Sequence, residues 1–341
     1  MNDSKNQVRE PVGAPLALLT VAPSPHIKSG VTTTSIMRDV IIAMLPTCLW
    51  GVHAFGWKAA MLLAVAVVSA VFFEWASVKL LKRRNTIADL SAIVTGMLVA
   101  MNLPASAPFW LPIVGSFVAI VVVKQLFGGI GKNFLNPALA ARVFLFLSWS
   151  DKMSGNAFPA PLFQDTDAVA SATPLASLSE SGAAGVSTLD LLLGLHGGCI
   201  GEVSALLILL GGVYLIIRKV ITWHIPLCYL GTVALITLFF PLGGGHFDVN
   251  FMLTQLLSGG LMLGAVFMAT DYVTSPVTAC GRMIFGIGCG LITVFFRYFS
   301  TYPEGVSFAI LVMNALVWYI DRFTRPHIFG KSRKARKEGA K

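Results

Sequence analysis

Long apolar runs are the feature that most restricts how this chain can fold. Hydrophobic residues make up 55% of its 341 residues and charged residues 12%, and the mean hydropathy is +0.76. A helix of about 20 apolar residues crosses the ~30 Å hydrocarbon core of a bilayer. The short, glycine-containing runs leave room for one or two re-entrant segments. The sequence predicts an all-α polytopic membrane protein with about ten transmembrane helices, over residues 38–55, 59–80, 87–103, 109–127, 134–150, 203–218, 225–241, 253–270, 280–299 and 305–322.

The basic residues lie mostly at one end of these runs. The chain has 25 Lys and Arg residues and a net charge of +9. Only Lys58, Lys152 and Arg297 fall on the opposite side of the predicted bundle, and Arg142 lies within a predicted helix. This asymmetry follows the positive-inside rule and is not typical of nucleic-acid binding. It predicts that both termini are cytoplasmic and that the long polar segment lies on the outer face of the membrane.

The chain divides into five predicted parts. Residues 1–36 are predicted to form a cytoplasmic arm without the pattern of a cleaved signal peptide. Residues 324–341 are predicted to form a basic cytoplasmic tail, most simply a solvated signal that fixes the topology, with contact to anionic lipid as the alternative. Residues 37–150 and 203–323 are two five-helix repeats on either side of the outer loop 151–202. Weak internal similarity supports the repeat, for example between residues 95–98 and 260–263. Two units with an odd number of helices have opposite orientations, and inverted repeats place functional sites near mid-membrane.

Ionisable residues inside the predicted helices are candidates for an ion path. Glu74 lies in the second helix, Asp89 opens the third, Arg142 lies in the fifth and Asp271 closes the eighth. Charged groups at membrane depth are costly and usually face a cavity or a partner. Each carboxylate is a candidate for Na⁺ binding or proton relay, and pairing with Arg142 or a place at the interface are the alternatives.

Two asparagines surround the predicted start of the fifth helix. Asn133 and Asn136 follow the glycine-rich turn 128–131, and Pro137 suits the first helical turn. Free amide groups at a helix start can hold an anion or the edge of a bound ligand, but plain helix capping is the favoured interpretation. The histidines, His196 among them, are expected at the interface or in solvent. The chain lacks cysteine and histidine pairs at metal-ligand spacing, a Walker loop, a dinucleotide-binding glycine pattern and a Ser/His/Asp set.

The outer loop contains Ser171-Ala172-Thr173-Pro174-Leu175. Pro174 disfavours the helical conformation at Thr173, so the threonine side chain is expected to project from extended backbone. This pentapeptide resembles the flavin attachment site of the Rnf and Na⁺-translocating NADH:quinone reductase families, in which a threonine carries FMN through a phosphoester bond.

The resemblance extends from about residue 22 to residue 330. Further segments resemble the D-subunit family of Rnf-type oxidoreductases, and Ser-Ala-Thr-Pro in place of Ser-Gly-Ala-Thr favours that family over the quinone-reductase B subunits. The matching segments are residues 22–27, 33–37, 91–96, 124–129, 133–138, 223–226, 263–271 and 303–309.

The resemblance implies an electron-transfer subunit of a bacterial inner-membrane complex, not a complete enzyme. Such complexes couple electron flow between ferredoxin and NAD to Na⁺ or H⁺ translocation. FMN would be bound covalently to Thr173, with Ser171, Asn133, Asn136 and Arg142 as further cofactor-binding candidates, and a second, non-covalent flavin is allowed. The implied partners are a second covalent-FMN subunit, iron–sulfur subunits, an NADH-binding subunit and membrane lipid.

Two other functions fit the predicted architecture. Five-plus-five inverted repeats also build channels and secondary transporters, in which the loop 151–202 would be a passive cap. A structural membrane anchor for redox subunits would likewise leave Thr173 unmodified. Covalent flavin on the denatured chain distinguishes both from the redox subunit.

Overall fold

The computed structural model describes most of the chain from residue 30 onward. The described residues are 30–83, 86–153, 158–159, 161–162, 175, 178, 187–202, 204–242, 247–300 and 304–326. Apart from one isolated bridge between Pro104 and Cys199, the described secondary structure is helical. The fold below concerns the unit that begins at Thr33.

The first half of this unit contains two long helices and three shorter apolar ones. A single 3₁₀ turn, Ile87–Asp89, precedes the third helix. The helices are α1 (Thr33–Phe55), α2 (Trp57–Leu80), α3 (Ser91–Met101), α4 (Trp110–Phe117, continued by a π-helix over Val118–Gln125), α5 (Pro137–Ser148) and the short α6 (Ser150–Met153).

The described second half contains one short helix followed by further apolar helices. The seventh helix is brief, and the eleventh is again partly π-helical. The helices are α7 (Thr188–Leu193), α8 (Ala205–Ile217), α9 (His224–Phe239), α10 (Val249–Leu257), α11 (Leu261–Leu263, continued by a π-helix over Gly264–Met268), α12 (Ala279–Phe299) and α13 (Val306–Thr324).

Every predicted apolar run contains a described helix, which confirms a multi-pass helical membrane protein. Within the described residues four helices, α1, α2, α12 and α13, are long and apolar enough to cross a membrane, or five if the bent pair α10 and α11 counts as one span. The other five apolar helices have between 10 and 17 residues. At 1.5 Å per residue they are shorter than the ~30 Å core, so ten complete spans stay a prediction.

Small residues let the helices approach closely. A Cβ atom at Gly96 of α3 would lie 2.9 Å from the Ala66 carbonyl oxygen of α2, and one at Gly211 of α8 would lie 2.5 Å from the Ala43 carbonyl oxygen of α1. Close backbone contact through glycine is typical of packing between membrane helices. The helix pairs α1/α8 and α5/α13 both pack together and join the two halves of the bundle.

A break separates α10 from α11 within one apolar run. The two helices meet at an angle of 65°, and Gly259 adopts a φ of 66° in the break, a conformation that side-chain-bearing residues rarely take. Irregular backbone at membrane depth is tolerated only where protein or a cavity surrounds it. The break is therefore expected to have polar partners inside the bundle.

Candidate functional site

A cavity of about 370 Å³ lies at the end of the bundle where α1 and α3 begin. Its wall is largely apolar, with Val94, Leu98 and Phe267 among the lining residues. Ligand pockets are commonly about 300–1,000 Å³ with apolar walls and a few well-placed polar groups. The polar lining here includes Thr33, Ser91, Thr95, Lys124, Asn133, Asn136 and Asp271.

One side of the cavity is formed by the Lys124 cluster, which comprises Lys124, Glu74, Ser91 and Thr86. The Lys124 ammonium nitrogen lies 2.6 Å from Glu74 Oε2 and donates to Ser91 Oγ at 2.8 Å. Thr86 donates to the other Glu74 oxygen at 2.7 Å. Glu74 is fully buried and Lys124 is 3% exposed. The partner of Glu74 is thus Lys124, and not Arg142 as one sequence interpretation allowed.

The predicted asparagine pair lines another part of the cavity. The Asn136 side chain accepts hydrogen bonds from the amides of Ala138 and Leu139, which confirms the capping interpretation. The Asn136 amide nitrogen also donates to the Met268 carbonyl at 3.1 Å, so the cap joins the two halves of the bundle. Asn133 donates to the nearby Leu135 carbonyl at 3.0 Å and lines the cavity.

The two predicted aspartates occupy less buried places. Asp271 lines the cavity and its carboxylate accepts a hydrogen bond from Thr274 at 3.1 Å. Burial raises the pKa of the Asp271 carboxyl, although hydrogen bonds from Thr274 and the backbone oppose the shift. Asp89 ends the 3₁₀ turn that precedes α3 and is half-buried.

Arg142 belongs to a second buried charge cluster, the Arg142 cluster, with Asn102, Glu202 and Glu304. Its guanidinium donates to Asn102 Oδ1 at 2.6 Å and lies 3.4 Å from Glu202 and 2.6 Å from Glu304. Arg142 is 8% exposed. This internal pairing accounts for the charge of Arg142, and the cavity lining does not include it.

Another buried arginine closes the break between α10 and α11. Arg297 donates to the carbonyl and side-chain oxygens of Gln255 and, at 3.1 Å, to the Ser258 carbonyl. These carbonyls lie at the end of α10, where a helix leaves acceptors unsatisfied and favours a cation. A Cβ atom on Gly260, next to the start of α11, would lie 2.7 Å from Glu202 Oε1. The break thus has an arginine at one end and a glutamate at the other.

Thr173 and Ser171, the predicted attachment site and its neighbour, lie outside the described residues. Two residues that follow them are described. Leu175 is 2% exposed and Leu178 is 3% exposed, and a Cβ atom on Gly259 would lie 3.0 Å from Leu175 Cδ2. The chain just after the predicted attachment site is therefore packed against the break.

Sequence reasoning missed several of these residues. His196 was expected at the interface or in solvent, but it is 3% exposed and burial lowers its pKa, so the prediction that it lies in solvent was wrong. Glu202 and Glu304 were not predicted as site residues because both precede apolar runs, at Ala205 and Val306. Lys124 was counted only among the basic residues on the cytoplasmic side of the predicted bundle, although its i+4 spacing from the buried Ile120 places both on one helix face.

The described residues define a multi-pass helical membrane protein with a cavity at one end of the bundle and with the Lys124 and Arg142 clusters inside it. Residues 20–330 match the profile of the NQR2, RnfD, RnfE family. The chain belongs to this family, and the resemblance predicted from its motifs is confirmed.

Named relatives cover nearly the whole chain. It is 50% identical over 315 residues to the D subunit of the Na(+)-translocating ferredoxin:NAD(+) oxidoreductase complex of Acetobacterium woodii, covering 92% of this chain and 95% of the relative. It is 38% identical over 325 residues to the D subunit of the proton-translocating ferredoxin:NAD(+) oxidoreductase complex of Clostridium ljungdahlii, covering 93% and 97%. It is 41% identical over 332 residues to the D subunit of the ion-translocating oxidoreductase complex of Stutzerimonas stutzeri, covering 87% and 92%.

Proposed function

We propose that the chain is the D subunit of a membrane complex that couples electron transfer between ferredoxin and NAD to the translocation of Na⁺ or H⁺. The observation that carries the proposal is the 50% identity to a named D subunit across 92% of this chain. The proposed partners are a second covalent-FMN subunit, iron–sulfur subunits and an NADH-binding subunit. Purification of the tagged chain from its native membrane should recover these subunits, and a chain purified alone would contradict the proposal.

The first proposed cofactor is FMN, bound to Thr173 through a phosphoester. The resemblance of residues 171–175 supports this assignment, with Ser171 as a neighbouring residue. The attachment is tested by ultraviolet fluorescence of the denatured chain in a gel, which persists only for covalent flavin. An intact, non-fluorescent wild-type chain would favour the channel or anchor functions.

The second proposed cofactor is a non-covalent flavin in the end cavity. The fit is supported by the volume of about 370 Å³, the apolar wall and the Asn133, Asn136 and Lys124 groups around it. A flavin supplies one-electron and two-electron redox chemistry when bound. The side-chain amides and the lysine provide hydrogen-bond partners for a ring edge, and the apolar wall excludes water. Arg142 is not proposed as a ligand of this flavin, since its contacts are with Asn102, Glu202 and Glu304.

Filling the cavity tests the second flavin. Leu98→Trp, which places a larger side chain in the cavity wall, should abolish the flavin released by denaturation while covalent fluorescence persists. Leu49→Trp is the matched control, because Leu49 is 65% exposed on α1. Equal release from wild type and the Leu98 variant would place the flavin elsewhere.

The proposed architecture is a pair of inverted five-helix repeats, residues 37–150 and 203–323, in the bacterial inner membrane. The contacts α1/α8 and α5/α13 support it, because the first and the fifth helix of each half meet their counterparts. The basic residues predict cytoplasmic termini and an outer loop 151–202. The end cavity would then open toward the cytoplasm, near the ends of α2 and α4.

The proposed ion path includes Glu74, Asp89 and Asp271. Glu74 pairs with Lys124, which lines the cavity, and Asp271 lines the cavity itself. If Glu74 serves ion movement, Glu74→Gln should keep covalent FMN and assembly of the complex but lower ion uptake per electron in sealed vesicles. An unchanged ratio would remove Glu74 from the path.

A further inference from the structure

Lys124 lies between a buried carboxylate and the cavity. Its ammonium group has three donors, of which one contacts Glu74 Oε2 and another contacts Ser91 Oγ. A third acceptor is not found within the described part of the chain. Lys124 and Ser91 both line the cavity. A cavity ligand with an acceptor atom can therefore reach the ammonium group that neutralises Glu74.

We propose that Lys124 is a counter-charge shared by Glu74 and the cavity ligand. While the ligand is oxidised, Lys124 neutralises Glu74. Once reduction has made the ligand negative, Lys124 neutralises the ligand instead. Reduction would then raise the affinity of Glu74 for a cation. The inference rests on the proposed function, because it needs a redox-active ligand in the cavity. One electron enters from a one-electron donor in a neighbouring subunit, an iron–sulfur centre or a flavin. One Na⁺ or H⁺ enters at Glu74, so the net charge of the region is unchanged.

The surroundings of the pair support such competition. Glu74 and Lys124 are both buried, and charges interact more strongly in a protein interior than in water. Lysine is a compact charge on a flexible stem, so a small movement can shift it between two acceptors. Among the nearby charged groups Arg83 donates to the Gln125 carbonyl at 2.6 Å and Lys79 lies over Trp75.

The two Glu74 oxygens have different partners. Oε2 contacts Lys124, and Oε1 accepts from Thr86, which is half-buried just before the 3₁₀ turn that precedes α3. In this proposal the cation binds Glu74 on the Thr86 side while the ligand acts from the cavity. Coupling between two such sites is reciprocal and typically changes affinity about 5- to 150-fold.

The test measures how readily the Glu74 carboxyl group reacts in the oxidised and in the reduced complex. The purified complex is treated with a hydrophobic carbodiimide, which attacks carboxyl groups that have lost their counter-charge and taken up a proton, and Glu74 labelling is quantified by mass spectrometry. In Na⁺-free buffer, reduction with dithionite should raise the labelling of wild type at least about 5-fold. Added NaCl should suppress the labelling if Na⁺ competes at the same carboxylate, and a lack of suppression identifies H⁺ as the cation.

Three variants test the role of Lys124. In Lys124→Met, Glu74 should be labelled equally in the oxidised and reduced states, because no ammonium group neutralises it in either state. Lys124→Arg keeps a positive charge beside Glu74, so Glu74 should stay protected from the carbodiimide in the oxidised state. Lys132→Met removes the same charge from an exposed position and should behave as wild type. Wild-type labelling that is insensitive to reduction overturns the inference, as does a Lys124→Met protein that keeps the redox dependence.

Flavin release separates this inference from the proposed function. If denatured wild type releases flavin but Glu74 labelling does not respond to reduction, the shared counter-charge is wrong and the cavity flavin stands. If wild type releases no flavin, the cavity flavin is wrong and the inference fails with it.

Discussion

The Arg142 cluster leads to the most quantitative expectation. Arg142→Met removes the cation that pairs with the buried Glu202 and the partly buried Glu304, and leaves the cluster with these carboxylates and the uncharged Asn102. Removing one partner of a buried ion pair costs about 3–5 kcal/mol. Since 1.4 kcal/mol corresponds to tenfold in an equilibrium constant, the folded fraction relative to unfolded should fall more than about 100-fold.

The pH dependence of this cost has a defined sign. Burial raises the pKa of the Glu304 carboxyl, and Arg142 opposes that rise. In Arg142→Met the opposition is lost, so the folded-state pKa of Glu304 rises further. A group whose pKa is raised by folding stabilises the fold below its unfolded pKa and loses that contribution as pH rises through the folded pKa. The free energy of unfolding of the variant should therefore be closest to that of wild type at about pH 5 and furthest below it at about pH 8.

The measurement is unfolding of the purified subunit in mixed micelles, followed by the fluorescence of its 7 tryptophans. Arg38→Met is the matched control, because Arg38 is exposed near the start of α1, and surface substitutions usually change stability by about 0.5 kcal/mol or less. Adding Glu304→Gln to Arg142→Met should recover part of the lost stability. An Arg142→Met protein as stable as wild type near about pH 8, or one that loses more stability at the lower pH, would refute the reasoning.

Three further outcomes are expected. Thr173→Ala should insert and assemble without gel fluorescence from covalent flavin, and flavin found on another residue of the loop peptide would contradict the assignment. In a background lacking native Cys199, a cysteine at Ser181 should react with an impermeant maleimide in intact cells and one at Ser332 should not; the reverse pattern would invert the topology. Gly211→Leu should reduce the amount of folded protein, because its Cβ atom would lie 2.5 Å from a backbone oxygen of α1, while Gly231→Leu, with open space at its Cβ, should not.

The helices could be predicted from the sequence because each is an apolar run of helical length. The boundaries of α12, Ala279–Phe299, differ from the predicted residues 280–299 by one position. The break between α10 and α11 could not be placed, because Ser258-Gly259-Gly260 reads equally as a tight helix contact or as a turn. The angle of 65° depends on partners from other helices, and hydropathy does not report them.

The candidate site was only partly predictable. Asn136 was identified because a cap is a local feature, set by the proline and backbone amides that follow it. Glu74 was identified as an unusual carboxylate, but its partner Lys124 is 50 residues away in the chain. Lys124 follows an apolar run, as surface lysines do, and only the packing of α2 against the π-helical end of α4 places it inside.

The buried charges coincide with the irregular parts of the backbone. Lys124 lies in the π-helix after α4, Arg297 binds the carbonyls before the break, and Arg142 contacts Glu202 beside the segment that pairs with residues 101–103. Backbone groups freed from helical hydrogen bonds in a bilayer need internal partners, and Arg297 supplies them at the break. Lys124 and Arg142 instead bond side chains, and Glu74, Glu202 and Glu304 provide their counter-charges. A ligand that competes for one partner of such a pair needs access to it, and of the two clusters only the Lys124 cluster borders the end cavity.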